Sequence, residues 1–232
     1  MNSVDPVGSG SFSFGRREGS TIGNKSVAIG YNVTSSGNYS YAIGENPQAT
    51  AYGSVAIGYG VISSASYSHA EGKLTTASGE TSHAEGYDTT ASGETSHAEG
   101  YKTTASGNYS YAEGKLTTAS GDYSHAEGYK TTASGENQHV QGVNNIPDTT
   151  FLYIVGNGEY QESYSRYDSN TGETTFYPEV SNPSNAHTLD WDGNAWFAGD
   201  VYVGSTSGIN KDDGSVKLAT VAEMPTIEIV RW

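Results

Sequence analysis

The chain has 232 residues, but 30 are glycine and only 34% are hydrophobic, which argues against an ordinary compact core. Its formal net charge of −15 repels phosphate backbones and anionic lipid surfaces, so we expect no nucleic-acid partner and no membrane insertion. The absence of cysteine excludes disulfide bonds and thiolate metal sites, so the fold must be stabilised in another way.

Residues 1–25 are rich in glycine and serine and only partly in phase with the repeat that follows. This composition indicates a capping coil or an attachment segment. The segment lacks the basic and then apolar pattern of a secretory signal, and the chain has no apolar run long enough to span a bilayer.

A 14-residue repeat fills residues 26–146 and gives nine registers. Each register carries a glycine in the same phase, and all but the last carry an alanine two residues before it. The glycines are Gly30, Gly44, Gly58, Gly72, Gly86, Gly100, Gly114, Gly128 and Gly142. Such a constant phase indicates a solenoid in which every repeat forms one coil.

Each unit has two similar halves of the form small-x-Ala-x-Gly, as in residues 82–86 and 89–93. Strand side chains alternate between faces, so we expect Ser82, Ala84 and Gly86 to point inward and His83 and Glu85 outward. Two short strands per coil, stacked in parallel, predict an all-β, two-sided β-roll. At about 4.8 Å per coil, nine coils would form a rod roughly 43 Å long.

The interior of such a roll contains only small side chains, which bury too little apolar area to order more than a hundred residues. The outward face of the first strand has aliphatic residues in the early coils, for example Val27, Ile29 and Ile57. We therefore expect other copies of the chain to cover this face. The alternative is that another part of the same chain covers it.

From the fourth coil on, the same outward positions change to histidine and glutamate. We expect a His–Glu network between chains, with raised histidine pKa values and an assembly that weakens as the pH rises. The alternatives are a metal or anion held by three histidines, and a face that is simply exposed to solvent. The expected interface residues are Val27, Ile29, Tyr41, Ile43, Val55, Ile57, His69, Glu71, His83, Glu85, His97, Glu99, Tyr111, Glu113, His125, Glu127 and His139.

Tyrosines recur at the expected corners of the coils. One row contains Tyr31, Tyr59, Tyr87, Tyr101 and Tyr129, and another contains Tyr39, Tyr67, Tyr109 and Tyr123. We expect the rings to stack on one another along the rod, with glycan binding as the alternative. The outward threonines and serines of the second strand form a regular hydroxyl array, for which ice binding is a further alternative.

The sequence contains no recognised nucleophile, phosphate-binding, zinc or calcium motif. Its carboxylates recur in every coil, whereas an active site needs one distinct environment. We therefore assign no catalytic residue, no cofactor and no metal site, and we expect the protein not to be an enzyme.

After the repeat, residues 147–215 have the aromatic and β-branched content of a small β domain. We expect a strand at residues 151–155 and a hairpin of residues 186–191 and 195–203 that turns at Asp192 and Gly193. A polar insertion between Gly158 and Ser184 contains Tyr160, Tyr164, Tyr167 and Tyr177, which are candidate contacts to a receptor or glycan. Residues 216–232 are a final strand or a junction.

The early units, both Ser-Val-Ala-Ile-Gly at residues 26–30 and 54–58, resemble the head repeats of trimeric autotransporter adhesins. This resemblance covers about half of the chain and implies a homotrimeric, left-handed parallel β-roll with the first strand around the threefold axis. The later Ser-His-Ala-Glu-Gly and Thr-Thr-Ala-Ser-Gly units, and residues 184–202, are similar to segments of phage and prophage tail-fibre-like proteins.

An autotransporter should also carry a signal peptide, a coiled-coil stalk and a membrane anchor, and the sequence shows none of these patterns. The resemblance therefore implies a phage tail fibre segment that attaches the virion tail to a bacterial receptor or glycan, next to other tail or fibre proteins. The alternatives are the head of a bacterial cell-surface adhesin and, third, a tailspike that depolymerises glycans.

Overall fold

A computed structural model describes residues 8–14, 22–161, 164–168, 173–177, 179–193 and 195–198, and the strands Val201–Tyr202, Gly208–Ile209 and Val216–Lys217. All regular elements in this part of the chain are β-strands. Across the same residues, no helix has the length and apolar character needed to cross a bilayer. The predicted all-β class is confirmed.

Residues 26–146 form a two-sheet solenoid of stacked coils, as predicted. The first sheet contains one five-residue strand per coil, and we number the coils 1 to 9 by these strands. They are Val27–Tyr31, Tyr41–Glu45, Val55–Tyr59, His69–Lys73, His83–Tyr87, His97–Tyr101, Tyr111–Lys115, His125–Tyr129 and His139–Val143.

The second sheet contains a two-residue strand in each of coils 1 to 8. These strands are Thr34–Ser35, Gln48–Ala49, Ile62–Ser63, Thr76–Ala77, Thr90–Ala91, Thr104–Ala105, Thr118–Ala119 and Thr132–Ala133. Neighbouring strands of both sheets are parallel and shifted by 14 residues, so that His83 pairs with His97 and Thr90 with Thr104. Equivalent side chains of successive coils therefore form straight rows.

The interior of the roll contains small side chains from both sheets. Fourteen of the nineteen buried hydrophobic residues in the described chain are alanine, so the core contributes little apolar area per residue. Buried serines satisfy their own hydroxyls by donating to the turn, as Ser82 does to the carbonyl of Gly79 at 2.7 Å. The alternation of small inward and larger outward residues thus produces the thin interior that the sequence predicted.

The glycine of each first strand does not point inward as predicted. Gly86 is exposed and has a φ of 109°, and a Cβ built on it would lie 2.1 Å from the carbonyl oxygen of Gly100. Glycine is needed here because the strand bends against the next coil in a conformation that other residues avoid. Gly86 lies two residues after Ala84 and so belongs to the same set of alternate positions. Glycine is required there by the backbone conformation and not by the size of the interior.

The corners that follow and precede the first strands also need left-handed backbone, yet most of their residues are not glycine. Two sites per coil have φ between 53° and 63° in coils 1 to 8, and the later coils place Leu74, Thr81, Lys102 and Leu116 there. Such residues tolerate the left-handed region poorly. These corners are therefore points of local strain within a regular fold.

The first sheet continues beyond the repeat at both ends. Phe12–Phe14 pairs in parallel with Val27–Tyr31, and Phe151–Asn157 pairs in parallel with His139–Val143. Asn185–Asp190 then pairs antiparallel with Phe151–Asn157 and forms a hairpin with Ala195–Phe197. The predicted strand and hairpin are present, although the second hairpin strand ends at Phe197.

The remaining strands form small antiparallel sheets. Glu159–Gln161 pairs with Val180–Asn182, and Tyr164–Asp168 pairs with Glu173–Tyr177. Val201–Tyr202, Gly208–Ile209 and Val216–Lys217 form a three-stranded sheet. The tyrosine-rich insertion therefore forms two antiparallel ladders.

Candidate functional site

The outward face of the first sheet carries two rows of side chains, because alternate residues of each five-residue strand point away from the interior. We call them the ring row and the acid row. The ring row contains Val27, Tyr41, Val55, His69, His83, His97, Tyr111, His125, His139 and Tyr153. The acid row contains Ile29, Ile43, Ile57, Glu71, Glu85, Glu99, Glu113, Glu127, Gln141 and Val155.

The structure thus places all the predicted interface residues on one face. In coils 1 to 3 this face is apolar and partly open to solvent: Ile57 is 37% exposed and Tyr41 46% exposed, and Val27, Ile29 and Val55 are half-buried. Covering an exposed aliphatic surface with another surface is favourable, because it removes apolar area from water.

In the later coils the ring row is a continuous aromatic ladder. The rings of His69 and His83 stack with centroids 4.8 Å apart, and those of His97 and Tyr111 with centroids 4.5 Å apart. The ladder extends beyond the repeat through Tyr153, His187 and Phe197. It includes all six histidines of the chain.

Sequence reasoning missed the last three rings of this ladder. Tyr153 keeps the 14-residue spacing from His139, although the small-x-Ala-x-Gly pattern has ended there, and His187 lies on an antiparallel strand that pairs with Phe151–Asn157. A signal for Tyr153 was available, because its strand was predicted and pairs with coil 9. The place of His187 depends on a long-range strand pairing that no local pattern encodes.

Four histidines of the ladder, His69, His83, His97 and His139, lie close to a glutamate of the same chain. The Nε2 of His97 lies 3.2 Å from Oε2 of Glu99, within hydrogen-bonding distance, and the corresponding distances are 3.5 Å for His69–Glu71 and 3.7 Å for His83–Glu85. Residues two apart on a strand share a face, which brings these side chains together. The prediction of pairs between chains overlooked this same-strand partner.

Within the single chain, the pKa values of His83 and His125 are lowered, whereas the expected pairing between chains would raise them. Burial lowers the pKa of His83, and the neighbouring His69 and His97 lower it further. Burial also lowers the pKa of His125, with a contribution from His139. Desolvation and histidine–histidine repulsion outweigh the attraction of the glutamates, so both rings favour the neutral form.

Tyr111 interrupts the histidine series and changes its surroundings. Its hydroxyl donates to Oε2 of Glu99 at 3.3 Å, and burial together with the charges of Glu99 and Glu113 raises the pKa of Tyr111 to about 12. Without a histidine in its own strand, Glu113 approaches Glu127. Burial and this neighbour raise the pKa of Glu113.

Donor atoms of Glu113, His125 and Glu127 lie within 4.8 Å of one another, at an open depression that Glu99 and Gln141 also line. Within the described residues, this set could hold a cation. No metal was predicted from the sequence, and exposed carboxylates of this kind occur in proteins without one.

The predicted stacking of corner tyrosines along the rod is present where two of them follow each other in a row. The rings of Tyr87 and Tyr101 lie 5.1 Å apart and nearly parallel, and so do those of Tyr109 and Tyr123. Lysines continue the first row: Nζ of Lys73 lies 5.6 and 5.4 Å from the ring centroids of Tyr59 and Tyr87. Neighbouring side chains therefore cover the faces of these rings.

Among the candidate receptor contacts, Tyr160 packs against the roll. Its ring centroid lies 3.5 Å from Nζ of Lys130 and 5.4 Å from the ring of Tyr129. Tyr164 and Tyr177 pair across the antiparallel ladder, and Tyr167 pairs with Thr174. The side chains of Tyr164, Tyr167 and Tyr177 lie outside the described part of the structure.

Comparison with known proteins identifies the repeat. A family model described as two copies of the YadA head domain repeat matches residues 35–60, 70–93, 84–110 and 112–137. No curated protein matches the chain. All four matched segments lie within the β-roll, so these coils are similar to YadA head domain repeats, which supports an adhesin-type head.

Proposed function

We propose that the chain is a homotrimeric, non-enzymatic segment of a phage tail fibre that attaches the virion to a bacterial surface. One observation carries this proposal: a roll of adhesin-head repeats has an alanine interior and a partly open apolar face. The later repeats are similar to those of tail-fibre-like proteins, which favours the virion tail as the location.

The trimer follows from the physical chemistry of coils 1 to 3. A core made mostly of alanine cannot order a long solenoid by itself, and Val27, Ile29 and Ile57 leave apolar surface open. Two sister copies would cover this surface and supply the missing core. The ring and acid rows of the later coils would then lie along the same axis.

Receptor contact is proposed for the surfaces that the trimer leaves outside. These are the second sheet and the tyrosine-rich insertion with Tyr160, Tyr164, Tyr167 and Tyr177. Aromatic side chains on a rigid scaffold commonly dominate binding energy at interfaces. The partner is a bacterial cell-surface receptor or glycan, and other tail or fibre proteins would adjoin the ends of the rod.

A bacterial cell-surface adhesin is the second candidate, and the YadA head domain repeat match favours it. Both candidates are adhesive. They differ in whether a phage tail or a bacterial cell surface presents the β-roll. Glycan depolymerisation ranks third, because most carboxylates of the acid row recur in equivalent surroundings. The close pair of Glu113 and Glu127 is the feature that favours it.

The proposal is tested in two steps. Sedimentation of the purified chain should give three times the monomer mass, and a folded monomer at low micromolar concentration would contradict the trimer. Immunogold labelling in the source culture should then decorate phage tails. Labelling of cell surfaces would instead support the bacterial adhesin, and reducing ends released from host polysaccharide would support the depolymerase.

A further inference from the structure

The two edges of the roll carry opposite charge in coils 4 to 8. The basic edge follows the end of each first strand, and the acidic edge precedes the next first strand. The basic edge contains Lys73, Lys102, Lys115 and Lys130. The acidic edge contains Glu80, Glu94, Asp122 and Glu136. Asp88 is the exception on the basic edge, in coil 5.

The parallel register arranges these residues in rows along the rod. Residues on the two edges are about seven positions apart in the chain, which is half a coil. Along the rod axis they therefore differ in height by about 2.4 Å. Counted half a coil forward, Lys73 is level with Glu80 and Lys115 with Asp122, whereas Lys102 is level with the uncharged Asn108 and Asp88 with Glu94. Lys130 is level with Glu136 but also forms an ion pair with Glu179 of its own chain at 3.5 Å. Lysines are thus concentrated on one edge, although the chain carries a net charge of −15.

The two edges cannot neutralise each other within one chain. A five-residue first strand separates them by about 15 Å, which is beyond the reach of an ion pair. Glu80, Glu94, Asp122 and Glu136 are all exposed, and so are Lys73 and Lys102. The lysine stems are ordered against tyrosine rings, as Lys115 is between Tyr101 and Tyr129.

We propose that the basic edge of one chain docks on the acidic edge of a second copy of the same chain, coil against coil. The inference rests on the proposed trimer and specifies how its subunits meet. In a cyclic arrangement of parallel rods, each subunit presents one edge to one neighbour and the other edge to the next. At each of the three contacts, Lys73 then meets Glu80 and Lys115 meets Asp122.

The same charges disfavour other arrangements. A twofold pairing along one edge would place the lysine row against itself, or the acid row against itself, and both contacts repel. The edges thus select the cyclic arrangement, whereas the apolar face of coils 1 to 3 provides the affinity. An anionic glycan could also bind lysines, but it would leave the matching acidic edge without a role.

Charge reversal tests the proposal at one level of the rod. Lys73→Glu and Glu80→Lys should each weaken trimer assembly roughly tenfold, because each reversal places like charges together at three contacts. The double variant K73E/E80K should assemble like the wild type, since the pair is restored with inverted sign. Lys25→Glu, at an exposed lysine outside coils 4 to 8, is the matched control and should leave assembly unchanged.

Assembly is measured by sedimentation at 0.05 and 0.5 M salt, with circular dichroism to verify the fold of each variant. High salt should weaken the wild-type trimer, because screening shortens the range of exposed charges from about 10 Å at 0.1 M to 3 Å at 1 M. A salt-insensitive trimer that tolerates both single reversals overturns this proposal alone. So does a trimeric K73E that has lost binding to an anionic polysaccharide. A monomeric wild-type chain overturns the proposed function as well.

Discussion

Coils 1 to 3 and coils 4 to 8 share one backbone and differ in what they show to the outside. Both regions stack in parallel with the same 14-residue register and bury alanine and serine inside. The outward face is Val, Ile and Tyr in the first region and mostly His and Glu in the second. The backbone fold is thus independent of the outward side chains, which can change from apolar to polar without altering it.

The two regions also differ at their corners. Coils 1 to 3 place Asn32, Asn46 and Gly60 at the left-handed site after the first strand, residues that tolerate this conformation. The later coils place Leu74, Asp88, Lys102, Leu116 and Lys130 at the same site. The later region therefore accepts backbone strain at positions where long side chains lie along the edge.

The largest expected effect concerns the shared backbone fold. Gly44→Ala in the first region and Gly100→Ala in the second should each lower the free energy of unfolding by about 3 kcal/mol. In both cases the new Cβ would lie 2.1 Å from a carbonyl oxygen of the next coil, at a φ above 100°. Denaturant unfolding measures the loss. A large effect in one region alone would show that the two regions do not depend on the same backbone packing. Ser92→Ala, at an exposed position, is the control.

The next effect separates the two outer faces. Ile57→Glu should weaken assembly by about 1.5–3 kcal/mol per chain if coils 1 to 3 pack between copies. Ile62→Glu is the matched control, because Ile62 lies in the second sheet of the same coil. Sedimentation equilibrium compares the two variants. Equal behaviour would mean that the first sheet is no more covered than the second.

Acid should destabilise the histidine region selectively. The pKa values of His83 and His125 are lowered by folding, so the unfolded chain binds more protons below its own histidine pKa near 6.5. Stability is full above pH 6.5 and falls as the pH drops below it. Melting temperatures from pH 8 to 5.5 should show this decrease, and H83Q/H125Q should reduce it. A decrease towards high pH would support the originally expected pairing between chains.

The smallest effect concerns the corners. Leu116→Asn should raise the free energy of unfolding by about 0.5–1 kcal/mol, because asparagine tolerates the φ of 59° found there. The reverse change in the first region, Asn46→Leu, should cost at least as much, since it also removes the hydrogen bond from Asn32 to Oδ1 of Asn46 at 2.8 Å. Chemical denaturation resolves both changes. Destabilisation by Leu116→Asn would assign a packing role to the leucine.

Much of the fold could be predicted because the repeat converts local pattern into global structure. A period of 14 with alternation inside each half predicted the strands, the parallel register and the buried alanines, and all of these are present. The same pattern brought His83 and Glu85 to the predicted outward face. The candidate site was predicted as a set of positions, whereas its interactions were not.

Those interactions depend on distances that a sequence does not contain. The sequence alone determined the rod, its two faces and its charged and aromatic rows, because 14-residue periodicity places equivalent side chains at equivalent positions. The tertiary structure decided the sign of the histidine pKa shifts, the pairing of His97 with Glu99 and the place of His187 in the ladder. Desolvation and long-range strand pairing arise only when segments distant in sequence are brought together.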